Sequence, residues 1–327
     1  MVVSKTSSTS SSNMVSFVKR LALFLSPVLI YVVLYFWIDP YDHFTVEHRP
    51  DMEKLERQIA YRLNYPLYKL NRASRVHSTV LFLGDSRVNL FDEQLLVLTF
   101  EQPVLNMAYG GGTLAEAIET FKILSSEHSI EEVYFGLNFN RYNAAVRRNR
   151  VIEANQIASS WLSSIFNKYT IKSVVFICYS YLTGNEINVE ESKKNKDEFW
   201  AHQLSVASKI YFDSYVYPSE EYDELNKMAE YCRENNINLI FFIPPTHMDL
   251  QVLIGEYGLE QGRAQFLNDL RSLATVVNLN TENQFTSRKA NFTDPFHFDR
   301  SFDSLVLSQI LHRDSMMSEF KSMKIER

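Results

Sequence analysis

The chain is poor in the residues that build covalent or metal-held frameworks, with two cysteines, Cys178 and Cys232, in 327 residues. Neither belongs to a CxxC pair or to a Cys/His spacing of the zinc type, so the sequence offers no metal site and implies no cofactor. Cys178 ends the apolar run Val174-Val175-Phe176-Ile177 and Cys232 lies in a helical-looking stretch. They read either as two separate buried thiols or, in an oxidising compartment, as a pair. Nine glycines and nine prolines exclude collagen-like and low-complexity architectures. Positive charge is also short, 33 Lys and Arg against 39 Asp and Glu for a net charge of -6, which removes the cationic face that a nucleic-acid binder needs. What is plentiful is core material: 46% of residues are hydrophobic and 13% aromatic, enough for one large domain with small appendages.

Long uncharged runs are equally scarce, and the longest is Leu21 to Ile38, preceded by Lys19 and Arg20. Residues 21–38 at 1.5 Å each reach roughly 27 Å, close to the hydrocarbon thickness of a bilayer, so a single transmembrane helix in contact with membrane lipid is predicted. Pro27 falls early in it, and Tyr31, Tyr35 and Trp37 supply interfacial aromatics toward its far end. Cations before the span and Asp39, Asp42 and Glu47 after it place the N-terminus in the cytoplasm and export the rest to the periplasm or the cell exterior. The bulky end, Leu34 to Ile38, has no small-x-small cleavage site, which favours an uncleaved anchor over a signal peptide. Residues 1–20 then form a cytoplasmic tail, in which the Ser/Thr tract Met1 to Asn13 is expected not to fold. Residues 39–76 form a membrane-proximal helical connector, 77–315 the main domain and 316–327 a tail. In the connector, Leu55, Ile59, Leu63, Leu67 and Leu70 recur at helical spacing, fit either to pack on the domain or to lie on the membrane.

From Ser78 the pattern becomes α/β. Ser78 to Leu83, Pro103 to Met107, Glu132 to Gly136 and Asn238 to Ile243 are short apolar runs that end beside Gly, Asn or Pro, with helical patterns between them over Leu114 to Leu124 and Glu221 to Arg233. A parallel sheet with helices on both faces is the expected fold. The stretch 141–217, with the polar segment Asn185 to Glu198, interrupts this alternation and reads as a mostly helical insertion or lid.

Chemistry-bearing residues in such folds gather just beyond strand ends. Ser86 follows the first strand in Gly84-Asp85-Ser86, where a tight turn can lift its hydroxyl into a cleft; alone it reads equally as a helix cap. Asn106 to Thr113, with Gly110, Gly111 and Gly112, follows the second strand, and its backbone N–H groups can cradle an anion, or it is a plain loop. Gly136-Leu137-Asn138 places an amide at the same edge, as a donor or an Asx turn. Asp294-Pro295-Phe296-His297 precedes a helical pattern over Ser301 to Leu311, a spacing that lets a carboxylate orient an imidazole. Arg87 and Arg141 are candidate substrate-binding cations, Arg141 heading a basic cluster with Arg147, Arg148 and Arg150 that either steers an anionic polymer or is a solvated face. His247, after Pro244-Pro245, either lines the pocket or is structural.

Taken in this order, Gly84-Asp85-Ser86, Asn106 to Gly112, Gly136-Leu137-Asn138 and Asp294 to His297 resemble blocks I, II, III and V of the SGNH (GDSL-like) hydrolases, a likeness that covers roughly Thr79 to Leu311. The resemblance implies a three-layer α/β/α flavodoxin-like fold. It also implies Ser86 as nucleophile, His297 as base, Asp294 as its orienter, and an oxyanion hole from the Ser86 N–H, Gly110 or Gly111, and Asn138. The activity implied is that of an esterase or an O-acyltransferase. Two departures stand out: Phe139 replaces the Asp that usually follows the block III Asn, and Arg87 follows the serine. An anchor followed by Asp39-Pro40-Tyr41 is also similar to membrane-anchored proteins of envelope-polymer acylation, such as those of teichoic acid D-alanine transfer and alginate O-acetylation. That likeness implies a polysaccharide or acylated envelope substrate and a multi-span membrane acyltransferase as partner. A lipid esterase or lysophospholipase, and a non-catalytic scaffold of the same fold, are the alternative readings.

Overall fold

Apolar runs too short for helices and rich in β-branched and aromatic residues pair edge to edge in the computed structural model, which describes residues 8–44, 50–185 and 195–311. Five strands, β1 (Val80–Leu83), β2 (Val104–Asn106), β3 (Glu132–Gly136), β4 (Asn238–Ile243) and β5 (Thr275–Asn278), form one sheet in the order β2-β1-β3-β4-β5. All neighbours are parallel, with Val80 opposite both Val104 and Glu132, Glu132 opposite Asn238, and Ile240 opposite Thr275. The chain order reverses between β1 and β3, the switch point at which open α/β sheets bind ligands beyond their strand ends. A separate antiparallel hairpin joins β6 (Phe292–Asp294) to β7 (His297–Phe298). The expected α/β class with a parallel sheet is what the chain adopts.

Helices in chain order are α1 (Ser8–Ile38), α2 (Pro50–Gln58), α3 (Ala60–Leu63), α4 (Tyr65–Ala73), α5 (Ser86–Asn89), α6 (Glu93–Phe100), α7 (Leu114–Glu127) and α8 (Arg150–Ala158). They continue with α9 (Trp161–Ile165), α10 (Lys168–Thr183), α11 (Lys196–Ala207), α12 (Ser219–Glu234), α13 (Met248–Glu256), α14 (Glu260–Leu273) and α15 (Asp303–Leu311). Because side chains alternate across a strand, Val80, Phe82, Tyr134, Ile240 and Phe242 join a core with Leu96 of α6, Val306 and Ile310 of α15, and Phe292 and Phe298 of the hairpin. Leu81, Val133, Phe135 and Phe241 fill the other face, where α7, α12 and α14 pack on the sheet and the Phe135 and Phe241 rings lie 5.7 Å apart.

The chain divides into two compact units, Met1–Arg72 with Asn155–Val189, and Ala73–Ala154 with Glu190–Arg327. The sheet and hairpin belong to the second. The 141–217 stretch is therefore not one insertion: Asn155–Val189 belongs with the N-terminal helices, and the rest with the sheet. Within the first unit Tyr35, Ile38, Ile59, Ile165, Val174 and Ile177 share a core, Ser173 Oγ donates to Tyr41 Oη at 3.2 Å, and Asn71 Nδ2 donates to the Tyr41 carbonyl at 3.1 Å. The Ser173–Tyr41 bond and the shared core join positions more than a hundred residues apart, which a linear reading of an insertion misses. The connector stretch contains three short helices, α2, α3 and α4.

Helix α1 starts at Ser8, well before Leu21, so the tract to Asn13 is helical from that point, contrary to the expectation of an unfolded tail. Extending an existing helix adds one hydrogen bond per residue fixed, a far smaller demand than nucleating one. Its stretch Met14–Ile38 is 25 residues long, long and apolar enough to cross a membrane. The helix stops at Asp39, which takes a left-handed φ of 46°, while its carboxylate accepts the N–H groups of His43 and Phe44 at 2.7 and 2.6 Å and Pro40 prevents continuation. Cys178 and Cys232 are both free thiols. Residues 1–7, Glu47, the middle of the Asn185 to Glu198 segment and the 316–327 tail lie outside the described residues.

Candidate active site

The turn after β1 requires glycine. Gly84 has φ +149°, and a Cβ there would lie 2.6 Å from Val88 Cγ2 and 2.7 Å from the Gly136 carbonyl oxygen. The chain thereby turns directly from strand into α5, with Val88 fully buried against Gly136 of the neighbouring strand. Asp85 caps the helix, its Oδ1 accepting the Arg87 N–H at 3.0 Å.

From this turn Ser86 Oγ stands 2.6 Å from His297 Nε2. His297 Nδ1 lies 2.8 Å from Asp294 Oδ2 and 3.0 Å from Oδ1. The β6–β7 hairpin sets this pair, since Asp294 faces His297 across it. Asp294 Oδ1 is further fixed by the backbone N–H groups of Phe296, 2.8 Å, and His297, 3.2 Å. A hydroxyl, an imidazole and a carboxylate are thus joined end to end by hydrogen bonds. The carboxylate favours a proton on Nδ1 and leaves Nε2 free to accept the serine proton, an arrangement able to activate an oxygen nucleophile.

The glycine loop runs alongside this turn. Tyr109 N–H donates to Gly84 O at 3.1 Å, and a Cβ on Gly112 would approach Gly84 O at 2.8 Å. Gly112, rather than Gly110 or Gly111, is the glycine pressed on the turn that carries Ser86, and its own N–H is committed to Tyr109 O at 2.8 Å. The Gly110 and Gly111 carbonyls accept hydrogen bonds from Arg150 (3.3 Å) and Arg148 (3.1 Å). Arg150 also grips the fully buried Glu116 through Nε at 2.6 Å and Nη2 at 2.8 Å, while Glu116 closes a capping box with Thr113 at the start of α7. Arg147 pairs with Glu220 and Glu221 at 3.3 Å each. The basic cluster is therefore matched by acceptors of the fold itself. Asn138 is buried at the end of β3; its Nδ2 donates to Pro244 O at 2.9 Å, which occupies one of two amide hydrogens, and Oδ1 has no partner among the described residues.

A cluster that the sequence did not reveal lies beside Ser86. Asp85 accepts from Arg87 Nε at 3.0 Å, from Arg87 Nη2, and from Arg141 Nε at 3.3 Å. Arg87 also donates to Asn140 Oδ1 through Nη1 and Nη2, both at 3.2 Å. Burial by itself would raise the Asp85 carboxyl, but the Arg87 and Arg141 charges outweigh it and hold it at about 2. Arg87, 2% exposed, is turned into the protein, and Arg141 lies over the Tyr211 ring at 4.9 Å. The only signal was Asp-x-Arg around the serine with Asn140-Arg141 after the third strand, and sequence spacing does not say which way those side chains point.

His247 is 5% exposed and caps α13, its Nδ1 accepting from Asp249 N–H at 3.1 Å, with the Trp200 ring at 4.8 Å and Phe292 at 5.4 Å. Desolvation lowers its pKa, and its backbone N–H donates to Pro295 O at 3.0 Å, so it supports the Asp294–His297 turn from behind. Phe139 is buried against Tyr215, 4.9 Å, and Phe266, 6.1 Å. It also lines a cavity of about 430 Å³ with Ile243, Gln251, Phe266 and Asn280, to which neither Ser86 nor His297 contributes. Among the described residues no group of three or more His, Cys, Asp or Glu is arranged to hold a metal ion.

No protein-family model matches the chain, and no curated protein matches it in sequence. Among solved structures it is similar to a Streptococcus pneumonia protein provisionally described as a platelet activating factor, at 11% identity and TM-score 0.42, over 82% of this chain and 95% of that one. It is also similar to a protein of Bacteroides fragilis provisionally described as an acylhydrolase, at 11% identity and TM-score 0.34, over 74% and 87% of the two chains. Similarity at this level assigns no activity.

Proposed function

We propose that the chain is a membrane-anchored serine esterase or O-acyltransferase of the SGNH type, acting outside the cytoplasm on an envelope or exported polysaccharide. The observation that carries this reading is the hydrogen-bonded series Ser86 Oγ, His297 Nε2, His297 Nδ1, Asp294 at the switch point of the sheet. As Ser86 Oγ bonds to an ester carbonyl carbon, His297 Nε2 takes the hydroxyl proton and the carbonyl oxygen becomes an oxyanion near the Ser86 N–H and the Asn138 amide. Collapse breaks the ester bond, and His297 returns the proton to the departing alcohol. Water or a sugar hydroxyl then takes the acyl group from Ser86 by the same steps reversed.

The extracytoplasmic site is supported by Met14–Ile38, long and apolar enough to span a bilayer, with Lys19 and Arg20 at its early end. A glycan is the acceptor class that such an anchor keeps within reach, and a multi-span acyltransferase would supply the acyl group. Incubating the full chain with a fluorophosphonate probe tests the chemistry: the parent should label and Ser86→Ala should not. An unlabelled parent with intact circular dichroism removes the catalytic reading. Lower acetyl content of the envelope glycan in cells carrying Ser86→Ala would support transfer, and higher content hydrolysis.

A further inference from the structure

Helix α10 has its polarity reversed with respect to water. The face packed into its unit carries Thr170, Ser173 and Ser180 beside Val174 and Ile177. The opposite face, at helical spacing, carries Ile171, Val175, Tyr179 and Leu182, exposed by 42, 54, 51 and 81%. In water the apolar stripe of a helix turns inward, whereas in lipid small and hydroxyl side chains sit at helix contacts and apolar ones face the acyl chains. Trp161, Leu162 and Phe166, all exposed, extend the patch ahead of α10. It is continuous with the apolar surface of α1: Tyr31 Oη donates to Ile165 O, and the Trp37 and Tyr181 rings meet at 5.6 Å. The 16 residues of α10 reach about 24 Å, short of the roughly 30 Å hydrocarbon core. Its first turns carry exposed Lys168 and Lys172, whose ammonium groups can reach phosphate headgroups.

We propose that α9 and α10 form a second, non-spanning membrane contact, burying the exposed face of α10 in the acyl boundary of the leaflet reached by the C-terminal end of α1. The occupant of this patch is a phospholipid bilayer. The inference rests on the reading of α1 as an anchor, and the three tryptophans allow the two to be tested apart. The full chain would be reconstituted in phosphatidylcholine and phosphatidylglycerol vesicles, with and without brominated acyl chains, as variants that keep one indole each: W37F/W200F, W161F/W200F and W37F/W161F. Emission from Trp161 and from Trp37 should fall about twofold on bromination, as for indoles seated at the acyl boundary, and emission from Trp200 should not change. Quenching of Trp37 without Trp161 overturns the second contact, leaves the anchor standing and points to a protein partner or a second copy on the patch. Quenching of neither overturns the anchor and the contact together. Replacing Ile171, Val175 and Leu182 with serine should reduce the Trp161 effect and spare that of Trp37. Without any substitution, a phosphatidylcholine with a photoactivatable acyl chain should crosslink within residues 161–182 as well as within α1; crosslinks confined to α1 count against the contact.

Discussion

Asp85, Ser86 and Arg87 are consecutive, yet they serve two regions of opposite character. Ser86 belongs to a relay whose hydroxyl and imidazole are partly exposed, the His297 side chain by 22%, over a buried Asp294. Asp85 and Arg87 belong to a closed ion-pair cluster with side chains 6 and 2% exposed, in which Asn140 and Arg141 complete the partners. Successive helical residues project about 100° apart, so the first turn of α5 can send a hydroxyl outward and lock the flanking charges inside. One region is built so that a proton can move, the other so that nothing moves.

The strongest way to separate them is Ser86→Ala. Ester turnover should drop by at least about 10³-fold, since the proposed nucleophile is removed, while thermal stability stays within about 0.5 kcal/mol of the parent. A large stability loss on melting would mean that the hydroxyl is part of the closed cluster after all. Asp294→Asn should cost about 10²- to 10⁴-fold in kcat, because an amide no longer selects the proton on Nδ1, with unfolding only mildly affected as its Oδ1 still accepts the Phe296 N–H. A variant retaining parental turnover would show that the carboxylate is structural.

Arg87→Met addresses the other region. Removing one partner of a buried pair leaves Asp85 charged and less compensated, and unfolding free energy should fall by about 3–5 kcal/mol. Combining it with Asp85→Asn should restore a good part of that loss, because the remaining charge is gone as well. Additive losses in the double variant, measured by urea unfolding, would show that the two side chains act independently.

Legibility followed the same division. Strands β1 to β4 were readable because each is an apolar run bounded by Gly, Asn or Pro, and β3 and β4 have the bounds expected of them. Strand β5 escaped because Thr275–Asn278 is short and only half-buried, and the hairpin because strands of three and two residues carry no period. Ser86, His297 and Asp294 stood out through residue type and position after strands or before the last helix. The Asp85–Arg87–Arg141 cluster did not, since only the backbone turn decides that Arg87 points inward. The pairing of α10 with α1 was equally hidden, being set by the core that Val174 and Ile177 share with Tyr35 and Ile38.

A third buried carboxylate gives the smallest and most discriminating test. Asp303, at the start of α15, is buried with Oδ1 unpartnered among the described residues. Desolvation raises its pKa to about 6, opposed by the Arg300 charge and by a hydrogen bond from the Asp92 backbone, with the Asp92 and Asp299 charges adding smaller upward effects. The signs of the two aspartates are opposite. Asp85, held at about 2, contributes stability that is present above the ordinary aspartate value near 3.8 and is lost as pH falls toward 2. Asp303 contributes stability that is full below that ordinary value and is lost as pH rises through about 6. Asp303→Asn should therefore raise Tm by about 2–4 °C at pH 7.5 and leave it unchanged near pH 4, where the native carboxyl is already neutral. An equal gain at both pH values would show that the asparagine stabilises by packing. The contrast with Asp85 would then rest on ion pairing alone, because only the carboxylate facing two guanidinium groups would retain a pH-dependent share of the fold's stability.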